Sequence, residues 1–107
     1  MTNADRVFDA LGDPTRRRIF ESLERGAKSV TDISDKLPVS RPAVSQHLRV
    51  LEAAGLVRWR AEGTRRLYQT DDAGLAAART YLDRFWDRAL ERFKVAAEEE
   101  AKKGKRK

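Results

Sequence analysis

The chain has 107 residues, 40% of them hydrophobic, which suits one domain with one modest core and leaves no room for a second. It has no cysteine, so disulfides, thiolate metal sites and thiol nucleophiles are excluded. The polar start MTNADRVFD and the lack of any long apolar run predict a soluble, cytoplasmic protein without a membrane partner. The formal charge is +6, yet five of those excess charges sit in the final KKGKRK, leaving +1 for everything before it. A polyanionic partner must therefore be argued from where the arginines fall, not from bulk charge.

Asn3 is placed to cap a short first helix whose Val7, Phe8 and Leu11 form one apolar stripe, ended by Gly12. Asp13 followed by Pro14 is a helix-start signal. Ile19, Phe20 and Leu23 supply the buried side of a second helix over about residues 14–25, before Gly26. Arg16, Arg17 and Arg18 fall on what reads as its solvated face. Ser29 and Asp32 approximate a capping box for a brief third helix with Val30, Ile33 and Leu37, stopped by Pro38.

The segment from Ser40 to Val57, SRPAVSQHLRVLEAAGLV, is the most informative. Ser40 caps it and Gly55 ends it. At about 100° per residue, Val44, Leu48 and Leu51 fall within about 60° of one another and form a buried edge. Pro42, Ser45, Gln46 and Arg49 point the other way. The short gap to the preceding helix is the helix-turn-helix spacing. Gln can pair with adenine N6/N7, and Arg with guanine O6/N7 or a phosphate. Arg41 lies in the first turn, where the helix N-terminus also attracts phosphate. His47, the chain's one histidine, sits on the flank of the stripe. Two readings of it stay open: a packed, hydrogen-bonded residue, or a phosphate contact.

Val57–Ala61 and Arg65–Thr70 flank Glu62-Gly63-Thr64 and read as a β-hairpin. Alternation puts Arg58 and Arg60 on one face and Trp59 on the other. It does not decide which of the adjacent Leu67 and Tyr68 faces the core. With Thr64, Arg65 and Arg66 at the turn, the hairpin reads as a wing contacting phosphate or the minor groove. From Asp71 or Asp72 a helix of about thirty residues carries Leu75, Leu82, Phe85, Trp86, Ala89, Leu90 and Phe93 along one seam. Gly74 is expected to delay or bend its start, and residues 101–107 to form a basic flexible tail after a domain over 1–100.

The last helix holds four of the chain's eight aromatics: Tyr81, Phe85, Trp86 and Phe93. A core this small does not accommodate them all. A seam between two copies, formed with Val7, Phe8 and Leu11 against Leu82, Phe85, Trp86, Ala89, Leu90 and Phe93, would bury them. An aromatic-lined pocket for a small hydrophobic effector is the competing reading. Asp83, Asp87 and Glu91 repeat at i, i+4 without a histidine, so neither a metal nor another cofactor is expected. No histidine pair, thiol or Gly-rich phosphate loop suggests an enzyme. A winged helix that docks on another protein is the remaining alternative, and the polar, arginine-bearing face of the fourth helix argues against it.

These elements, in the order α-α-α-α-β-β-α and mainly helical, carry DPTRRRIFESL, SRPAVSQHLRVL, GTRRLYQ and LDRFWDRAL. Over about residues 4–95 this pattern resembles the ArsR/SmtB family of bacterial winged-helix repressors, in particular its cysteine-free, autorepressor-like branch. The resemblance implies a winged helix-turn-helix fold and a homodimer joined through its first and last helices. It implies two recognition helices in successive major grooves of double-stranded DNA, and repression by blocking a promoter. The DNA-facing residues it points to are Ser40, Arg41, Pro42, Ser45, Gln46, His47 and Arg49 on the helix, with Arg58, Arg60, Thr64, Arg65 and Arg66 on the wing. The metal chemistry of the family does not carry over, because SVTDISDKL offers no thiol and the last helix no histidine.

Overall fold

A computed structural model describes residues 3–105. Its elements run α1 (Asn3–Gly12), α2 (Pro14–Leu23), α3 (Val30–Lys36), α4 (Arg41–Ala53), β1 (Val57–Glu62), β2 (Arg65–Thr70) and α5 (Asp72–Lys105). Local chemistry sets the helix starts. The Asp13 carboxylate accepts the Arg16 backbone N–H at 3.0 Å, and Pro14 supplies a preset φ. Ser29 and Asp32 form a reciprocal capping box, each backbone N–H donating to the other's side chain at 3.1 Å. The Ser40 hydroxyl accepts the Ala43 N–H at 3.3 Å. These hydrogen bonds favour the ionised carboxylate. Asp13 is held below the ordinary carboxylate range chiefly by the Arg16 N–H, and Asp32 chiefly by the Ser29 N–H.

α2 ends at Leu23, two residues earlier than the sequence suggests. The Gly26 N–H bonds back to the Leu23 carbonyl, turning the chain so that Lys28 pairs with Tyr68 through two backbone hydrogen bonds of 2.9 and 2.8 Å. That bridge adds a third backbone partner to the two-stranded antiparallel sheet. The hairpin pairs Glu62 with Arg65, so its loop is Gly63-Thr64 alone and Glu62 belongs to the strand. Gly63 has φ +62° while Thr64 is not in the left-handed region, the pattern of a type II′ turn. Leu67 and Tyr68 are both buried, and Tyr68 belongs to the central core.

The core gathers Ile19, Phe20 and Leu23 of α2, Ile33 of α3, Val44, Leu48 and Leu51 of α4, and Leu56, Val57 and Tyr68 around the hairpin. Val7 of α1 belongs to it as well, 1% exposed. Val7 is therefore corrected as a candidate interface residue: its side chain is consumed inside its own protomer.

α5 leaves this body behind. Its 34 residues span about 51 Å at 1.5 Å per residue, and the molecule measures 74 × 26 × 21 Å. The radius of gyration is 20.2 Å, against about 13 Å for a compact chain of this length. Beyond Ala78 no described residue of α5 is buried. The helix continues to Lys105, so residues 101–105 of the expected tail are helical; Arg106 and Lys107 lie outside the described residues. Gly74 plays a different part from the one expected. The helix begins ahead of it at Asp72, and the Gly74 N–H donates to the Gly55 carbonyl at 2.8 Å. A Cβ there would meet the Ala54 carbonyl oxygen and lie 2.9 Å from Gly55 backbone atoms. Only glycine lets the end of α4 and the start of α5 approach this closely. Among the described residues no helix is long and apolar enough to cross a membrane.

Candidate nucleic-acid interface

α4 divides cleanly. Val44, Leu48 and Leu51 are fully buried, which fixes the rotation of the helix about its axis. Arg41, Pro42, Gln46 and Arg49 are exposed as a consequence, and Ser45 and His47 are half-buried. Ser40 is exposed at the cap, its oxygen already accepting from Ala43. Arg49 and Val50 reach round to a cleft of about 300 Å³ against Arg6 and Asp9 of α1.

The wing residues Arg58, Arg60, Thr64, Arg65 and Arg66 are all exposed, and three of the arginines are steadied by the hairpin itself. Arg60 donates to the Gln69 side-chain oxygen at 3.0 Å and lies 4.0 Å from the Glu62 carboxylate. Arg65 lies 3.9 Å from the same carboxylate. The Arg66 guanidinium stacks 4.0 Å over the Trp59 ring, a cation–π contact. The sequence alone places Glu62 in the turn and Trp59 on the strand face away from Arg58 and Arg60, with no partner for either. The strand register puts Trp59 opposite Tyr68 and therefore on the same face as Arg66; a register taken from the two-residue turn would have shown it.

Arg16 is a second correction. Expected on a solvated face, it is half-buried. Its Nη1 donates to the Ala10 carbonyl at 3.2 Å and the Asp9 carbonyl at 3.4 Å. Its Nε donates to His47 Nδ1 at 3.4 Å. This contact supplies the hydrogen bond of the first reading of His47 and leaves the phosphate contact open.

A second surface lies on α5. Phe8 meets Tyr81 with ring centroids 5.5 Å apart, and Tyr81 meets Phe85 at 5.1 Å. From there Leu82, Phe85, Trp86, Leu90 and Phe93 continue along the helix, Trp86 61% and Phe93 70% exposed. Ala89 is half-buried on the same seam, and Leu11 half-buried against the core. A cleft of about 430 Å³ between α1 and α5 takes Tyr81 as its aromatic, with Asn3, Asp5, Ala77, Thr80 and Arg84. Phe85, Trp86 and Phe93 stand outside it. Asp83, Asp87 and Glu91 are exposed on α5, and no group of three or more His, Cys, Asp or Glu side chains gathers among the described residues.

Residues 11–59 match a family model described as a helix-turn-helix domain. Over 86 residues, 80% of each chain, the sequence is 60% identical to the HTH-type transcriptional regulator Rv2034 of Mycobacterium tuberculosis. The structure of an ArsR-like transcriptional regulator from Rhodococcus sp. RHA1 is similar with a TM-score of 0.73 at 37% identity, covering 86% of this chain and 90% of that one. So is the homodimeric winged helix-turn-helix DNA-binding domain of a possible ArsR-family regulator from Mycobacterium bovis, with a TM-score of 0.63 at 32% identity over 84% of this chain and 83% of that one. The order of elements, the divided α4, the arginine-bearing wing and these likenesses agree: the chain belongs to the ArsR/SmtB family of winged helix-turn-helix proteins and is a transcriptional regulator with a DNA-binding domain.

Proposed function

We propose that the protein is a cytoplasmic, homodimeric repressor that lays one α4 from each copy into successive major grooves of an imperfectly palindromic operator. The observation that carries this reading is the division of α4, whose apolar edge is wholly buried while its hydrogen-bonding face stays open. Gln46 and Ser45 are the proposed base readers. Arg41 and Arg49 contact phosphate or guanine edges, and Arg58, Arg60, Thr64, Arg65 and Arg66 hold the flanking backbone. Ser40 and Pro42 set the approach of the first turn. The seam of Phe8, Leu82, Phe85, Trp86, Ala89, Leu90 and Phe93, with Leu11 at its edge, pairs with that of a second copy; the homodimeric M. bovis relative supports this. A two-fold pair would meet half-sites about 34 Å apart. Residues 1–100 then act as one binding and dimerising unit and residues 101–107 as a basic extension. The role proposed is binding without catalysis, needing neither cofactor nor metal.

The test is selection of bound fragments from genomic DNA, then footprinting and mobility shifts against a scrambled fragment. Two protected half-sites about one helical turn apart are expected, with affinity for the selected fragment at least about 10³-fold above the scrambled one. Equal affinity for both at all salt concentrations would refute the reading.

A further inference from the structure

We infer that Arg16, on α2 and outside both helices of the helix-turn-helix and the proposed DNA face, is a positioning residue for recognition: it anchors the His47 ring so that Nε2–H is presented as a donor to a DNA phosphate. The inference rests on the proposed function and adds to it a residue that no motif assigns.

Arg16 joins three elements. Its own backbone N–H is taken by the Asp13 cap at the start of α2. Its Nη1 reaches the carbonyls of Asp9 and Ala10, which belong to the last turn of α1, where a helix leaves carbonyls without internal partners. Its Nε reaches Nδ1 of His47 on α4, 31 residues further along the chain. A guanidinium only donates and is never deprotonated in proteins. The ring nitrogen facing it must therefore be the acceptor, and a neutral ring then carries its hydrogen on Nε2. The neighbouring Val44 and Leu48 are fully buried, so the backbone under His47 is already fixed, and one contact at Nδ1 is enough to set the ring. Half-buried as it is, His47 keeps part of its surface open beside Gln46. The planar guanidinium fork suits this task better than an ammonium, because two carbonyls and one ring nitrogen must be served from fixed directions.

The chain has a single histidine, so its ring nitrogens can be observed without overlap. The free protein, labelled with ¹⁵N in the imidazole, is compared with Arg16→Lys at about pH 8.5, where an ordinary imidazole is neutral. The native protein should show Nδ1 as a hydrogen-bonded acceptor and Nε2 as the protonated nitrogen. In Arg16→Lys both resonances should move toward each other as the tautomers mix. An unchanged ring spectrum overturns the inference whatever the protein does to DNA.

The second arm measures affinity for the selected fragment in a double-mutant cycle with His47→Gln. That side chain places an amide N–H near the Nε2 position but has no ring nitrogen for Arg16 to hold. Arg16→Lys, which keeps the charge, should weaken binding roughly 5- to 10-fold when His47 is present and less than about 2-fold in the His47→Gln background. Equal factors in both backgrounds overturn the inference, since Arg16 would then act independently of His47. Failure of the native protein to prefer the selected fragment is a different result. It removes the DNA reading, while the ring spectrum still reports separately whether Arg16 holds His47.

Discussion

α4 and α5 use the same kind of apolar spacing and meet opposite fates. On α4 the stripe of Val44, Leu48 and Leu51 is completely covered by its own chain. On α5 the large side chains from Leu82 to Phe93 stand about half or more exposed, on a helix that projects beyond the body. Periodicity states that a face is to be covered, and only the arrangement in space states by what. The division also separates the tasks. In the proposed dimer, the body fixes the orientation of the reading helix and the projecting helix sets the distance between two such bodies.

Substitutions in the two regions should therefore fail in different ways. The largest effect is expected from Leu48→Ala, which opens a cavity in the core and should cost about 2 to 5 kcal/mol of stability. Thermal unfolding measured over a range of protein concentration should show that loss at every concentration. Trp86→Ala should leave the protomer fold in place and weaken self-association by about 2 kcal/mol, roughly 30-fold in the dimer dissociation constant. Sedimentation equilibrium measures it, and an unaltered association constant would remove Trp86 from the interface. Gly74→Ala tests the joint between the regions. In an open helix the change stabilises by about 1 kcal/mol; here, against the Ala54 carbonyl, it should destabilise by about 1 to 3 kcal/mol, read from denaturant unfolding.

Smaller effects belong to charges. Glu62 sits between Arg60 and Arg65, so Glu62→Gln should raise affinity for selected and scrambled DNA alike by a few fold. The logarithmic salt dependence should steepen by about one, as measured by titration at several salt concentrations. The smallest effect concerns acid. The folded Asp13 and Asp32 carboxylates lie below their ordinary value, so their stabilising contribution is fully present above the unfolded pKa of about 3.9. It is lost as pH falls through the lower folded value. Asp13→Asn should flatten the fall of the melting temperature across that acid range; a slope equal to that of the native protein would assign the acid response elsewhere.

What the sequence made legible was what depends on near neighbours. Asp13-Pro14, the Ser29 and Asp32 pair and Ser40 each act within one helical turn, and the structure places each at the start predicted for it. The exposed face of α4 followed from the same local geometry. The misses involve partners distant along the chain. Arg16 finds His47 and the end of α1, Val7 finds the core, and Gly74 finds Gly55. The Leu67 and Tyr68 question is undecidable by alternation because both side chains are buried. Glu62 reads as a turn residue until the register pairs it with Arg65.

The most direct test of the central claim is to count chains on DNA. Titrating the protein onto the selected fragment and following the complex by sedimentation should give saturation at two chains per duplex, with both α4 helices engaged and the scrambled fragment left unbound at the same concentrations. Saturation at one chain per duplex, or the same binding to both fragments, would contradict it.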